Sequence, residues 1–273
     1  MKKGIRENII NSLLPGPTVT QSLVLEISLQ TKSTVQAVYK SLRILKQEGV
    51  ITVHNKDTSL SLIWIHKEKE RLIFAEYAYL AGKDIITKLS IDKSRVTFQF
   101  KTIAELDLFW THAYTILTKQ VDVKVSRYML IPHDFFLYAR EETDTFWMDK
   151  NITKDFITRL VITHPFKADK MATKKRKERK DTPFEFLFSE NPLKQDSHLY
   201  YNILGDYIFK GSFDKDVNKK LESFICGVKK LPLLVDEKET IEAILSTNGK
   251  FTLIIEKNHK KATLAENKIE KYF

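Results

Sequence analysis

The sequence predicts two domains, a small α+β domain of three helices and a β-hairpin followed by a larger α/β domain with a mixed sheet. One observation is the stretch from Gln30 to Ile51, where apolar residues recur on a single helical face and the opposite face is basic. A second is the alternation of strand-like and helix-like runs from Val96 to the C-terminus, the pattern of an α/β layer structure. The third is length: 273 residues are enough for one small and one larger core.

The first two helices are expected at Ile5–Leu14 and Thr18–Ser28, separated by Pro15-Gly16-Pro17, which cannot continue a helix. In the third, Val35, Val38, Leu42 and Leu45 fall at i, i+3, i+7 and i+10, the spacing of one buried face. Lys32, Gln36, Lys40 and Arg43 form a polar stripe opposite, with no acid in it. Ser33 is expected to cap this helix and Gly49 to end it, in a conformation with φ > 0. Two β-prone runs follow, Val50–His54 and Leu60–Ile65, around the turn-rich Asn55-Lys56-Asp57-Thr58-Ser59. Helix, helix, polar helix and hairpin in that order form a winged helix-turn-helix, with Ser33–Glu48 presented to the major groove of double-stranded DNA. Lys32, Ser33, Thr34, Gln36, Lys40 and Arg43 are then the candidate DNA-binding residues of the helix, and Asn55 and Lys56 those of the hairpin tip. A solvated helix face is also a common home for Lys, Arg and Gln, so the order of elements carries the argument. The alternative use of such a domain is protein contact.

Composition bounds the partners. With 42% hydrophobic and 29% charged residues the chain has the make-up of a soluble globular protein. A net charge of +10 favours a polyanionic partner. The single cysteine, Cys226, excludes an internal disulfide and a multi-cysteine zinc site, and its helical context suggests a small buried hydrophobe. No run of about 18 apolar residues is present to span a membrane, and the start of the chain lacks a signal-cleavage pattern, so a cytoplasmic location is expected. Residues 1–66 hold eight Lys/Arg against four Asp/Glu, a modest excess suited to a dimer in which each half supplies a few phosphate contacts.

Domain limits are expected at 1–66, 67–94 and 95–273. The middle piece, Lys67–Leu89 and the residues just beyond, favours a helix whose Leu72, Phe74, Ala75, Ala78, Tyr79 and Ile86 either pack on the next domain or pair with their copies in a homodimer. Strands are then predicted at Val96–Phe100, Tyr128–Ile131, Arg159–Thr163, Phe184–Phe188, Leu199–Ile203, Tyr207–Phe209 and Phe251–Glu256. Helices are predicted at Ile103–Thr118, Phe135–Glu142, Asp216–Val228, Glu237–Leu245 and Lys260–Tyr272. Lys167–Asp181, with eight Lys/Arg and three acids, reads as an exposed loop, either a phosphate-neutralising arm or simply solvated. His133 and His164 each neighbour a proline after a strand-like run and could line a pocket with Asp134, or serve as structural histidines. No phosphate-cradling glycine loop and no acyl-transfer nucleophile motif is present, and no cofactor is expected.

Within the larger domain, Ser197–Asp214 (SHLYYNILGDYIFKGSFD) resembles the signature strand pair of the phospholipase D superfamily. His198 matches its histidine and Gly211-Ser212 its Gly-Ser pair. Tyr200 stands where the lysine belongs, and Asp206 is one place late for the aspartate. The resemblance therefore implies a degenerate, catalytically inert phospholipase D-like domain, with His198, Tyr200, Asp206 and Ser212 left to a ligand. A winged helix followed by such a domain resembles the TrmB-like group of transcriptional regulators, whose second domain senses a small molecule or mediates dimerisation. The expectation is a non-enzymatic, dimeric DNA-binding regulator with a small-molecule effector. Its alternatives are a phospholipase D-type phosphodiesterase or nuclease, and an antitoxin-like interaction protein.

Overall fold

The computed structural model describes residues 4–80, 95–121, 127–151, 157–178, 184–188, 193 and 196–273. Two units divide between Ala78 and Tyr79.

In the first unit, α1 (Ile5–Leu13), α2 (Thr20–Thr31) and α3 (Val35–Gln47) surround a core closed by a hairpin, β2 (Ile51–His54) and β3 (Asp57–Leu60). Of the predicted stripe on α3, Val38, Leu42 and Leu45 are buried against Ile9, Leu13, Leu23 and Ile27, while Val35, in the first turn, is exposed. Each such side chain contributes roughly 1.5–3 kcal/mol when taken out of water. A two-residue strand, β1 (Thr18–Val19), pairs with β3 and ties the start of α2 to the hairpin. The helix cap is Thr34, whose Oγ1 accepts from the Ala37 N–H at 3.2 Å, one residue after the expected Ser33. Ser33 instead gives its carbonyl to Ser28 Oγ at 2.6 Å. Gly49, at φ +71°, ends α3 as predicted.

The second hairpin strand differs from its prediction. It occupies Asp57–Leu60, and the apolar run after it begins α4 (Leu62–Ala78). Ser61 Oγ accepts from the Trp64 N–H at 3.4 Å and the Ser61 carbonyl from Ile65 N–H at 2.9 Å, so Ser61 starts a helical turn. A short apolar run fits either period, and here the local cap decides. The limit expected at 66/67 therefore falls inside a helix. No residue of α4 is buried. Ile86 and the rest of 81–94 lie outside the described residues.

The second unit is built on a seven-stranded sheet in the order β4-β10-β9-β8-β5-β6-β7. Its strands are β4 (Arg95–Phe100), β5 (Arg127–Ile131), β6 (Thr158–Ile162), β7 (Phe184–Phe188), β8 (Leu199–Leu204), β9 (Tyr207–Ser212) and β10 (Phe251–Lys257). β5, β6 and β7 are parallel and the remaining pairs antiparallel, so the sheet is mixed, as predicted. Leu160 and Ile162 enter one apolar cluster and Val161 another, together with Tyr128, Leu130 and Ile203. That period-two alternation marks a sheet covered on both faces. The helices are α5 (Ile103–Thr118), α6 (Phe136–Ala139), α7 (Glu141–Asn151), α8 (Lys167–Lys177), α9 (Lys215–Gly227), α10 (Val235–Leu245) and α11 (His259–Glu270). α11 contributes Ala262 and Ile269 to the second cluster. No helix among the described residues is long and apolar enough to cross a membrane.

Three sequence expectations are corrected here. The helix placed at Phe135–Glu142 is two, α6 and α7. Cys226 is exposed on α9 rather than buried. The basic stretch expected as a loop is helical from Lys167 to Lys177, because Ala168, Ala172 and Arg176 form a buried stripe at i, i+4 and i+8 with Asp169 and Thr173 beside it.

Candidate functional site

The exposed surface of α3 carries Gln36, Lys40 and Arg43 at i, i+4 and i+7, hence along one face. Glu48, just past the helix end, is held in an ion pair by Arg6 (Nη1 to Oε1, 3.0 Å). Thr34 is exposed at the N-terminus but its hydroxyl is committed to the cap. Lys32 and Ser33 lie in the turn between α2 and α3, with Lys32 in the left-handed region at φ 54°. The hairpin tip is a two-residue turn closed by the His54–Asp57 pair, with Asn55 at φ 54°, a conformation Asn tolerates. Asn55 and Lys56 are exposed, and the Lys56 carbonyl accepts from the Thr20 N–H at 2.8 Å, which fixes the tip against the start of α2.

In the second unit, Ser197–Asp214 does form a strand pair, β8 with β9, but its candidate residues are not brought together. Tyr200 pairs with Gly211 and Leu199 with Ser212, so Ser212 projects from the face opposite His198 and Tyr200. Asp206 sits in the turn at the far end of the hairpin, about 17 Å along the strands, where it meets His259 Nδ1 at 2.8 Å. His198 Nδ1 lies 4.0 Å from Asp196. Gly211 has a packing reason: a Cβ there would fall 2.3 Å from Trp110 Cζ3.

Of that set, Tyr200 lines a cavity. The cavity, of about 70 Å³, is lined by Asp107 and Trp110 of α5, by Asp134 just before α6, by Asp144 and Trp147 of α7, by Arg176 of α8, and by Phe184 and Tyr200 of the sheet, among others. Arg176 spends all five of its N–H groups there. Nε and Nη2 bond Asp134 at 2.7 and 2.9 Å, Nη2 and Nη1 bond Asp144 at 2.7 and 3.0 Å, and Nη1 reaches Met148 Sδ at 3.5 Å. Burial alone would lower the Arg176 pKa, but the two carboxylates outweigh it and hold the guanidinium protonated. Asp107 Oδ2 accepts from Arg140 Nε at 2.9 Å, yet burial raises its pKa to about 6. Trp110 Nε1 lies 3.3 Å from the side-chain oxygen of Asn202 when that amide is turned to match its neighbours.

The histidine pair separates. His133 is buried, with Nδ1 3.1 Å from Asp169 and its ring stacked on Phe166 at 4.8 Å. His164 is exposed and bonds Thr163 Oγ1 at 2.9 Å. Asp134 joins Arg176 rather than either histidine. The sequence reading overlooked Asp107, Arg140, Asp144 and Arg176 as a group. Small residues at 168 and 172, two turns and one turn before Arg176, are the signal that could have revealed the buried stripe.

No family model matches the chain, and no curated protein matches it. Solved structures with a low level of similarity to it include the following two. TrmBL2, an archaeal chromatin protein whose structure shows a novel mode of DNA binding, is 14% identical at a TM-score of 0.32, over 98% of this chain and 91% of that one. CalO1, a methyltransferase in calicheamicin biosynthesis in its SAH-bound form, is 10% identical at a TM-score of 0.22, over 70% of this chain and 61% of that one. Values this low do not establish a shared fold.

Proposed function

We propose that the protein is a sequence-specific DNA-binding transcriptional regulator of the cytoplasm, with the first unit acting as a winged helix. α3 is the reader, and the hairpin tip at Asn55 and Lys56 contacts the flanking backbone or minor groove. The observation that carries this reading is the exposed face of α3, where Gln36, Lys40 and Arg43 align without an acid among them. The fixed tip of the hairpin and the β1–β3 pairing support it, because they hold the second contact in place relative to α2. Gln suits adenine and Lys suits guanine at the major-groove edge.

Homodimerisation belongs to the same reading, through α4. Leu72, Phe74 and Tyr77 are 69%, 72% and 72% exposed, more apolar surface than a solvated helix normally shows. The reading has no hydrolytic step. Tyr200 offers no charge where a phosphodiesterase of the phospholipase D kind has lysine, and His198 and Ser212 face opposite sides of the sheet. The larger unit then serves to position the dimer and to hold an effector.

The test is selection of bound DNA from a random pool with the full chain, followed by titration of the preferred site. Gln36→Ala and Lys40→Ala should each weaken that site by about 1–3 kcal/mol and relax the preference at one base position. If both variants bind the selected site as tightly as the parent, α3 is not the reader.

A further inference from the structure

α4 is a helix of 17 residues with none of them buried, and its apolar side chains fall on two sides. Leu62, Ile65, Leu72 and Ile73 line a groove with Leu13 and Leu60 of the same unit. Roughly a third of a turn away, Ile63, Phe74 and Tyr77 are 70%, 72% and 72% exposed. Together with Lys67 and Glu70 they form the row 63, 67, 70, 74, 77, whose alternating steps of four and three residues are those of a helix-pairing seam. Three large apolar side chains along one row are more than a solvated face needs. Lys67 and Glu70, both exposed, occupy the middle of the row, and the Glu70 carboxylate lies 3.3 Å from His66 Nε2 at the helix surface. These two charges make the row direction-sensitive. Two copies aligned in the same direction would set Lys67 against Lys67 and Glu70 against Glu70. Two copies running in opposite directions set Ile63 against Phe74 and Lys67 against Glu70, each match occurring twice. Both matches fall in one register, because the steps 63 to 67 and 70 to 74 are equal.

We propose that the Ile63–Lys67–Glu70–Phe74–Tyr77 face of α4 is a seam for a second copy of this chain, whose α4 lies on it antiparallel. The proposal rests on the homodimer reading above and adds to it the face and the direction. Charge complementarity selects the partner, since the row matches its own reverse. The apolar layers, Ile63 on Phe74, supply the attraction, and the two Lys67–Glu70 pairs between them supply the orientation. Such charged layers contribute less stability than apolar ones, but they reject the parallel arrangement, in which like charges would be enclosed together.

Sedimentation of the full chain gives the dimer dissociation constant for the parent, Lys67→Glu, Glu70→Lys and the double variant. Across an antiparallel seam each single change sets like charges against each other and should raise the constant at least tenfold. The double change makes the pairs opposite again and should return the constant to within threefold of the parent. A parallel seam places like on like in all four proteins and gives no such pattern. Direction is read separately by disulfide trapping, with the exposed Cys226 changed to Ser. Ile63→Cys and Phe74→Cys chains mixed in equal amounts should yield 63–74 linked dimers in at least tenfold excess over 63–63 and 74–74 dimers. A monomeric parent overturns the homodimer reading and this proposal together. The seam alone is overturned if a dimer traps 63–63 and 74–74 instead, if the single charge variants associate as tightly as the parent, or if the double variant stays weakened.

Discussion

Replacing Arg176 with methionine tests the reading of the charged stretch most directly. Arg176 is 5% exposed and joins two carboxylates that are 1% and 8% exposed, Asp134 and Asp144. A methionine keeps much of the aliphatic stem and the helix but removes four N–H···O bonds and the one cation between two buried acids. Removing one partner of a buried ion pair costs about 3–5 kcal/mol, because the remaining charge stays desolvated and uncompensated. The loss should depend on pH in a fixed direction. Without Arg176 the folded chain holds two neighbouring buried carboxylates with no cation between them, so acid, which removes carboxylate charge, should relieve part of the loss. The variant should therefore be least stable relative to the parent at pH 8 and recover part of the difference by pH 5. Urea unfolding followed by tryptophan emission in a Trp64→Phe background, where the signal comes from Trp110 and Trp147, measures this in the second unit. Adding Asp134→Asn and Asp144→Asn to Arg176→Met should restore part of the stability at pH 8, since neutral amides carry no charge to desolvate. A loss under about 1 kcal/mol at pH 8, or one that does not change with pH, would refute the buried arrangement and return the stretch to a solvated loop.

Three further outcomes follow from the same geometry. Asp107 has its pKa raised from 3.8 to about 6, so its stabilising contribution is complete below about 3.8 and lost as pH rises through 6; the stability gap between the parent and Asp107→Asn should shift by roughly 2 kcal/mol between pH 4 and pH 8 in unfolding titrations. Lys170, Lys174, Lys175 and Lys177 face solvent on α8, and changing all four to Ser should leave stability, preferred DNA site and salt slope as they were; a drop of three or more in the slope would instead place phosphates against this helix. Gly211→Ala must displace Trp110, which a Cβ would approach to 2.3 Å, and should cost about 1–3 kcal/mol with a shifted tryptophan emission, whereas unchanged stability and emission would show that the contact is not tight.

Local pattern was enough wherever an element's burial follows from its own periodicity. α5 has the bounds its amphipathic spacing predicts, Ile103–Thr118, and β7 those of the aromatic run Phe184–Phe188. The polar face of α3 is legible for the same reason, since residues at i, i+4 and i+7 share a side whatever else the chain does. Gly49 is legible too, because ending α3 at φ +71° is a backbone demand a sequence can state locally. The mixed sheet follows from the alternation of runs, although its strand order does not.

Tertiary structure decided what depends on partners far away in the chain. Lys167–Lys177 looks unable to bury anything, yet Arg176 is buried because Asp134 and Asp144, 42 and 32 residues earlier, arrive to meet it. No window of the sequence contains both halves of that exchange. The run Leu62–Ile65 satisfies strand and helix patterns alike, and the Ser61 cap settles it as a helix. In the Ser197–Asp214 stretch the strands were legible but their shared site was not. Side-chain direction is fixed by register, which sends Ser212 to one face of the sheet, His198 and Tyr200 to the other, and leaves Asp206 at the turn. The cavity among Asp107, Trp110, Asp144 and Arg176 exists only after α5, α7 and α8 have packed on one sheet, so its charge balance is a property of the assembled unit and of no single segment.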